Sequence, residues 1–297
     1  MNNFMMLVGL PGSGKSYWAE KHAEVNHHAV IHSSDALRRE LFGSEDVQDR
    51  NRELFEELHR RIKADLLADK DVIYDATNIN SKRRTAFLQE IENIDCRKTA
   101  IVMSTPFIVC LKNNWTRERI VPFEVMDRMY KNWQTPYYFE GWDNIYKIDY
   151  QINYHDTSKM LDRYWNYDQN NPNHKYSLGM HMSEVGLYLL NNPEVAANEN
   201  LIDAGFYHDI GKPYCRTTDE NGISHYYNHA NVGAYDAMTE WDCSVRTSAL
   251  INYHMYPFSW TEEKTKEKYK KLWGKEFYNE IVMLHRADID HNIKGSD

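Results

Sequence analysis

The sequence predicts an α/β domain, a parallel sheet flanked by helices, followed by an all-α domain. Three observations predict it. A glycine-rich loop, Gly9 to Ser16, directly follows an apolar run; short apolar runs alternate with helix-spaced ones through the first half; and a polar, turn-rich break at Asp168 to His174 precedes a stretch where helical spacing dominates. At 297 residues the chain exceeds one ordinary core and suits two domains of about 150 residues each. The boundary is expected near residue 153, giving domains 1–153 and 154–297.

Phe4 to Val8 reads as a buried strand feeding the loop, and Gly14 to Ala23 opens a helix. Ala29 to Ile31 is a second strand ending at Ser33-Ser34-Asp35, after which Leu37 and Leu41, then Phe55, Leu58, Ile62 and Leu66, keep helical spacing. Val72 to Tyr74 is a third strand ending in Asp75. Ser81 to Ile94 reads as a helix, Thr99 to Met103 as a fourth strand, Pro122 to Trp133 as another helix and Ile145 to Ile148 as a closing strand. No internal repeat or low-complexity tract interrupts this order.

Composition narrows the function classes. With 42% apolar residues and no run near the roughly 20 needed to span a bilayer, a cytoplasmic protein with no membrane partner is expected. Cys96, Cys110, Cys215 and Cys243 show neither CxxC spacing nor the density of a secreted scaffold, so they read as reduced thiols. The net charge of −9 argues against coating long duplexes, a mode that neutralises many phosphates. Residues 1–153 hold 21 Lys and Arg against 23 Asp and Glu, whereas 154–297 hold 14 against 21, so the acid concentrates in the second half. A nucleic-acid terminus entering a local basic pocket stays compatible with this balance.

GLPGSGKS is a phosphate-binding loop in its proper setting between strand and helix. Gly9, Pro11, Gly12, Ser13 and Gly14 let backbone N–H groups wrap the phosphates of ATP, Lys15 reaches the β and γ oxygens, and Ser16 ligates Mg²⁺. An acceptor binds near the ends of neighbouring strands. Asp35 sits there: a carboxylate within hydrogen-bond reach orients a hydroxyl and takes its proton, and Arg38, one turn later, suits an acceptor phosphate. Helix capping is the competing role for Asp35. Asp75 suits either the metal or the acceptor, with Asn78, Arg83 and Arg84 just beyond it; solvated helix charge is the alternative for the arginine pair.

These residues resemble the kinase domain of phage-type polynucleotide 5′-hydroxyl kinases, over about residues 4 to 150. The likeness runs through GLPGSGKSYWA, Ser34-Asp35-x-x-Arg38, DATNINSKRR at 75 to 84, and Val121-Pro-x-x-Val-Met-x-x-Met-Tyr-Lys131. It implies that Asp35 is the general base for a 5′-hydroxyl, that Arg38 grips the adjacent phosphate, that Asp75 and Arg84 shape the acceptor pocket, and that Arg117 or Arg119 neutralises transition-state charge. The aspartate-nucleophile phosphatase motif DxDxT that accompanies such kinases is absent from the sequence.

In its place stands an ordered set of metal-ligand side chains. The pattern H…HD…H…H…D resembles HD-domain phosphohydrolases over about residues 174 to 291, most diagnostically in Tyr207-His208-Asp209-Ile-Gly-Lys212-Pro, and Gly179-Met-His181-Met-Ser-Glu184 and Tyr253-His254-Met255 also look like the HD module of some transfer-RNA nucleotidyltransferases. On that likeness His181, His208, Asp209 and Asp288 hold one ion, and His229 and His254 add a second with Asp209 between them. Mn²⁺, Fe²⁺, Co²⁺, Ni²⁺ or Zn²⁺ suit mixed nitrogen and oxygen donors, Mg²⁺ also enters, and Lys212 would stabilise developing charge. His225 is four residues from His229 and is its alternative; His285, His291 and Glu184 read as structural. The aromatic run Trp133, Tyr137, Tyr138 and Phe139 reads as core in preference to base stacking.

The joint expectation is an end-healing enzyme for RNA or DNA termini: an ATP-dependent 5′-hydroxyl kinase joined to a metal-dependent hydrolase of 2′,3′-cyclic, 2′- or 3′-phosphates, preparing ends for a nucleic-acid ligase. A small-metabolite or nucleotide kinase fused to an HD nucleotidase is the alternative. A non-enzymatic nucleotide switch is disfavoured by Asp35 and the metal-type set.

Overall fold

The computed structural model describes residues 1–27, 29–150, 163–172, 174, 176–195 and 197–292, with side chains through Asp290. The expected boundary near residue 153, and the side chain of His291, lie outside the described residues. The chain forms two compact units, one of residues 1–129 with 136–150, the other of 130–135 with 151–297.

The first unit is a parallel five-stranded sheet. Its strands are β1 (Asn2–Val8), β2 (Ala29–Ser33), β3 (Asp71–Asp75), β4 (Cys96–Ser104) and β5 (Asn144–Asp149), in the order β2-β3-β1-β4-β5. Between them lie α1 (Lys15–Val25), α2 (Ser34–Phe42), α3 (Asn51–Leu67), α4 (Ser81–Glu90), α5 (Phe107–Trp115) and α6 (Phe123–Lys131). Successive strand residues point to opposite faces, and both faces of β1 are apolar because both are covered. Phe4 and Met6 join Leu54, Leu58, Ile62 and Leu66 of α3 and Phe87 of α4. Met5 and Leu7 join Ala19 of α1 with Ile73, Ile101 and Met103.

The spacing of Leu54, Leu58, Ile62 and Leu66 puts one apolar stripe on α3, while ion pairs such as Arg52–Glu56 line its outer side. Two elements differ from expectation. Sequence FIVCLKNNW forms α5, although a short apolar run such as Phe107 to Leu111 has no helical signature until packing decides. The helix expected to reach Ile94 stops at Glu90, with turns over 91–93 leading to β4.

The second unit is helical: α7 (Leu178–Leu190), α8 (Glu199–Tyr207), the single turn α9 (Lys212–Cys215), α10 (His229–Glu240), α11 (Val245–Tyr253), α12 (Glu263–Trp273) and α13 (Lys275–Asn292). It departs from an all-α reading by one short antiparallel ribbon, β6 (Thr217–Thr218) with β7 (Ser224–His225). Residues 130–135 are part of this unit: the buried Trp133 ring meets Tyr235 edge-on at 4.9 Å, and the Thr135 N–H donates to Asn252 Oδ1. Core packing is therefore the role of Trp133. All four cysteines are buried thiols.

Candidate functional site

The phosphate loop joins β1 to α1 by conformations that side chains resist. Gly12 and Gly14 have φ of +78° and +90°, and a Cβ on Gly12 would lie 2.3 Å from the Cys110 carbonyl oxygen. No side chain caps α1 and its first turn carries no acid, so its leading N–H groups suit an anion. Thr105 Oγ1 donates to the Ser13 carbonyl and Asn113 Nδ2 to the Gly12 carbonyl, bracing the loop from β4 and α5. Neither residue carries a sequence signal. Lys15 is buried, its Nζ donating to the Leu10 carbonyl; burial lowers its pKa, with Asp75 opposing. Ser16 Oγ donates to Asp75 Oδ2 at 2.7 Å, so the tip of β3 meets the loop hydroxyl.

Ser33 caps α2, its side chain accepting from the Ala36 N–H. That frees Asp35, part-exposed in the first turn, which faces Arg117 at 3.4 Å and Arg119 at 3.5 Å. Arg119 also reaches Asp46 at 3.2 Å. The two arginines thus converge on one carboxylate.

Three acceptor expectations meet a different use. The guanidinium of Arg84 is fully buried, pairs with Glu140 at 2.6 Å and donates to the Asn78 carbonyl, so it is spent on the interior and is not open to an acceptor. Asn78, at φ +46°, donates its amide to the Leu7 carbonyl and fixes the turn after β3. Arg38 is buried against the α2–α3 connection, donating to the Val47 carbonyl and Asn51 Oδ1, and burial lowers its pKa; its buried Nε has no partner. Arg83 stays exposed. A residue named from sequence position alone can point either way across a helix, and here burial of Glu140 decided for Arg84.

In the helical unit the six metal-type residues converge. His181 on α7, His208 and Asp209 after α8, His229 at the start of α10, His254 after α11 and Asp288 on α13 are all buried. Asp209 is central: Oδ2 lies 3.5 Å from His181 Nε2 and 3.3 Å from His208 Nε2, Oδ1 3.2 Å from His229 Nε2 and 4.0 Å from His254 Nε2. Asp288 Oδ1 lies 3.2 Å from His181 and 3.7 Å from His208. Close packing makes this possible. A Cβ on Gly211 would lie 2.2 Å from the His229 carbonyl oxygen, so only glycine lets α10 approach the 208–211 turn.

The histidine tautomers bear on what fits. Nδ1 of His208, His229 and His254 lies 2.9, 2.7 and 2.7 Å from the carbonyls of Gly205, Tyr226 and Ile251. A carbonyl only accepts, so each Nδ1 carries a proton, and a ring that is neutral in this tautomer presents a lone pair at Nε2. His229 and His254 then aim lone pairs at one another across 3.4 Å, an arrangement relieved by a cation. A proton on His254 is disfavoured, because burial and the neighbouring His229 push its pKa down to about 3. For His208 burial also opposes charge, yet Asp209 and Asp288 outweigh it and hold its pKa up at about 10. Two triads, His181-His208-Asp209 and Asp209-His229-His254, place one ligand atom per residue within 4.8 Å of each other, a donor set that fits one or two divalent ions.

Lys212 Nζ pairs with Asp209 Oδ2 at 2.6 Å and donates to Gln169 Oε1 at 2.8 Å. Gln169 lies in the polar break and belongs to no motif. His225 does not join the cage: it is part-exposed on β7 and pairs with Asp219 at 3.1 Å. Beside the cage lies a cavity of about 740 Å³ whose lining includes Asp209, Lys212, His229 and Asp288.

The parallel sheet, the loop after β1 and the Ser16–Asp75 contact define an α/β P-loop kinase-like domain, a class that implies ATP and Mg²⁺ as ligands. Residues 4–136 match the model of the AAA domain family. The L-seryl-tRNA(Sec) kinase of Methanococcus maripaludis is 29% identical over 163 residues, which is 49% of this chain and 61% of that protein. The chain thus spans less than two thirds of that relative's length. A chain in the structure of the Pnkp1/Rnl/Hen1 RNA repair complex is 20% identical, with 44% of this chain and 43% of that chain covered at a TM-score of 0.38. For the gluconokinase from Sinorhizobium meliloti the identity is 14%, the coverage 50% and 82%, and the TM-score 0.35. Among the described residues no helix is long and apolar enough to cross a membrane.

Proposed function

We propose that this chain repairs broken nucleic-acid termini with two activities: transfer of the γ-phosphoryl group of ATP to a 5′-hydroxyl, and metal-dependent hydrolysis of a 2′,3′-cyclic phosphate or a terminal 2′- or 3′-phosphate. One observation carries it: a phosphate loop flanked by a part-exposed carboxylate, Asp35, that two arginines face shares a chain with a buried imidazole-carboxylate cage.

In the kinase half the loop N–H groups and Lys15 hold the donor phosphates. Ser16 and Asp75, both oxygen donors, would hold Mg²⁺, which supplies charge neutralisation at the phosphates. Asp35 takes the hydroxyl proton as the oxygen attacks phosphorus, and Arg117 and Arg119, already at that carboxylate, supply positive charge to the transferring group. A relative whose name makes it a kinase of L-seryl-tRNA supports a hydroxyl borne on RNA as acceptor.

In the hydrolase half the cage residues would hold one or two divalent ions, which supply Lewis acidity toward a phosphate ester. Asp209 spans the two triads, and Lys212, held by Asp209 and Gln169, offers a cation to the phosphate oxygens.

The test is to incubate the full-length protein with ATP, Mg²⁺, Mn²⁺ or Ni²⁺, and an RNA bearing a 5′-hydroxyl and a 2′,3′-cyclic phosphate, and to weigh the product by mass spectrometry. Gain of a 5′-phosphoryl group and loss of the cyclic phosphate are expected. Phosphorylation of free nucleosides or small metabolites in preference to the RNA would overturn the reading in favour of a metabolite kinase.

A further inference from the structure

The cavity beside the cage has a polar floor and an aromatic mouth. Asp209, Lys212, His229 and Asp288 form the floor, and Tyr227, Met255 and Phe258 belong to its lining. At about 740 Å³ it is the size of a small-molecule pocket, larger than a phosphate ion alone requires. The mouth is unusually apolar for solvent-facing positions: Tyr227 is 72% exposed, Phe258 50% and Met255 38%. Folding buries none of these groups fully: Phe258 packs edge-on against His285 at 4.4 Å and still leaves half its surface open.

Tyr227 is nonetheless held in place. Its ring stacks on that of His225, with centroids 5.8 Å apart and planes 10° from parallel. His225 is in turn fixed by Asp219 at 3.1 Å and by its place in the β6–β7 ribbon. The neighbouring Tyr226 is buried, and its hydroxyl donates to the Gln169 carbonyl. The ribbon therefore anchors one tyrosine inside and presents the next, flat and accessible, at the rim of a pocket whose floor suits a phosphate.

We propose that the mouth of this cavity is a nucleobase subsite: Tyr227, braced by His225, stacks on the base of the terminal nucleotide, Phe258 and Met255 supply further apolar contact, and the phosphate reaches the floor at Lys212 and the cage. The proposal rests on the hydrolase half of the reading above and names its substrate class, a nucleoside phosphate end, over phosphate esters that lack a base. Aromatic stacking tolerates any base, so this subsite recognises a nucleoside without reading its sequence.

Binding to the full-length protein with Mn²⁺ tests it by calorimetry, using two probes that resist hydrolysis: uridine carrying a 3′-phosphonomethyl group, and the corresponding ribose lacking the base. Tyr227→Ala should weaken the uridine probe about 10- to 100-fold, the range expected for one stacked base, while changing the ribose probe less than about twofold. Tyr227→Phe should restore binding. Equal loss for both probes, or no loss for either, overturns the subsite. The difference between wild type and variant isolates it from nucleotide binding elsewhere on the chain, and Phe258→Ala, with a smaller loss of the same selectivity, gives a second reading should Tyr227→Ala unfold. Steady-state hydrolysis separates the two claims. A raised KM for nucleoside 2′,3′-cyclic phosphate with little change in kcat supports the subsite, whereas a wild-type protein that binds uridine selectively but hydrolyses no phosphate ester with any divalent ion refutes the hydrolase and leaves the subsite standing.

Discussion

In the phosphate loop the groups that face an anion are backbone N–H donors and one ammonium, set by glycine conformations and a helix end. In the helical unit the groups that would face a cation are titratable side chains from five elements, packed out of water around one carboxylate. The loop's binding groups depend on local conformation. Those of the cage depend on tertiary packing to exist at all. Mutations should therefore break the first by chemistry at single residues, and the second by chemistry or by packing.

The largest effect is expected on the kinase side. Asp35→Asn keeps the shape and removes the base, and should lower phosphoryl transfer to a 5′-hydroxyl oligonucleotide about 10²- to 10⁴-fold, while metal-dependent hydrolysis continues. An unchanged transfer rate from labelled ATP would remove Asp35 from its role. The matching change in the cage is Asp209→Ala. Because Asp209 touches both triads, divalent-metal affinity should fall by more than the roughly 10- to 100-fold typical of residues behind the ligands, with hydrolysis lost and transfer intact. Retained metal stoichiometry, measured by plasma emission after dialysis, would sink the shared-ligand arrangement.

Gly211→Ala separates packing from chemistry. The added methyl meets the His229 carbonyl oxygen at 2.2 Å and a backbone N–H, of Gly233, at 2.6 Å, so α10 must retreat. A cost of about 1–3 kcal/mol is expected, together with weaker metal binding, although no ligand is altered. No comparable residue in the cage's chemistry is touched, so a variant with normal thermal unfolding and normal metal affinity would show that the close approach is not required.

The contrast between the two regions also decides what the sequence could reveal. The loop is one contiguous motif between an apolar run and a helix, and each strand of the parallel sheet reads as an apolar run because both faces are covered. The cage residues span His181 to Asp288, yet histidine and aspartate in that order, with HDIGK, mark them, and the fold brings them together. What stayed illegible is whatever depends on a distant partner. Arg84 reads as an acceptor residue until Glu140, 56 positions on, takes its guanidinium into the core. Gln169 reads as loop filler until Lys212 lies against it. Apolar α5 carries no period that separates helix from strand, and only packing settles it.

The smallest effect concerns a buried acid that neither chemistry uses. Asp236 on α10 is buried and accepts a hydrogen bond from the Tyr130 hydroxyl, with Glu240 one turn away. Burial raises its pKa well above the usual aspartate range, Glu240 raises it further, and Tyr130 and Arg163 oppose. Its folded-state pKa thus exceeds its unfolded value, so its contribution favours the fold most below about pH 4 and is lost as pH rises toward the folded value. Asp236→Asn removes that titration while an amide oxygen still accepts from Tyr130. The helical unit of the variant should therefore melt a few degrees, about 2–8 °C, above wild type at pH 8, with the gap shrinking as pH falls toward 4. A gap that stays constant or widens on acidification would place the ionised form of Asp236 in the folded state and reverse the sign of the argument. The phosphate-loop unit, which does not contain Asp236, should show no such gap between variant and wild type in the same calorimetric scan.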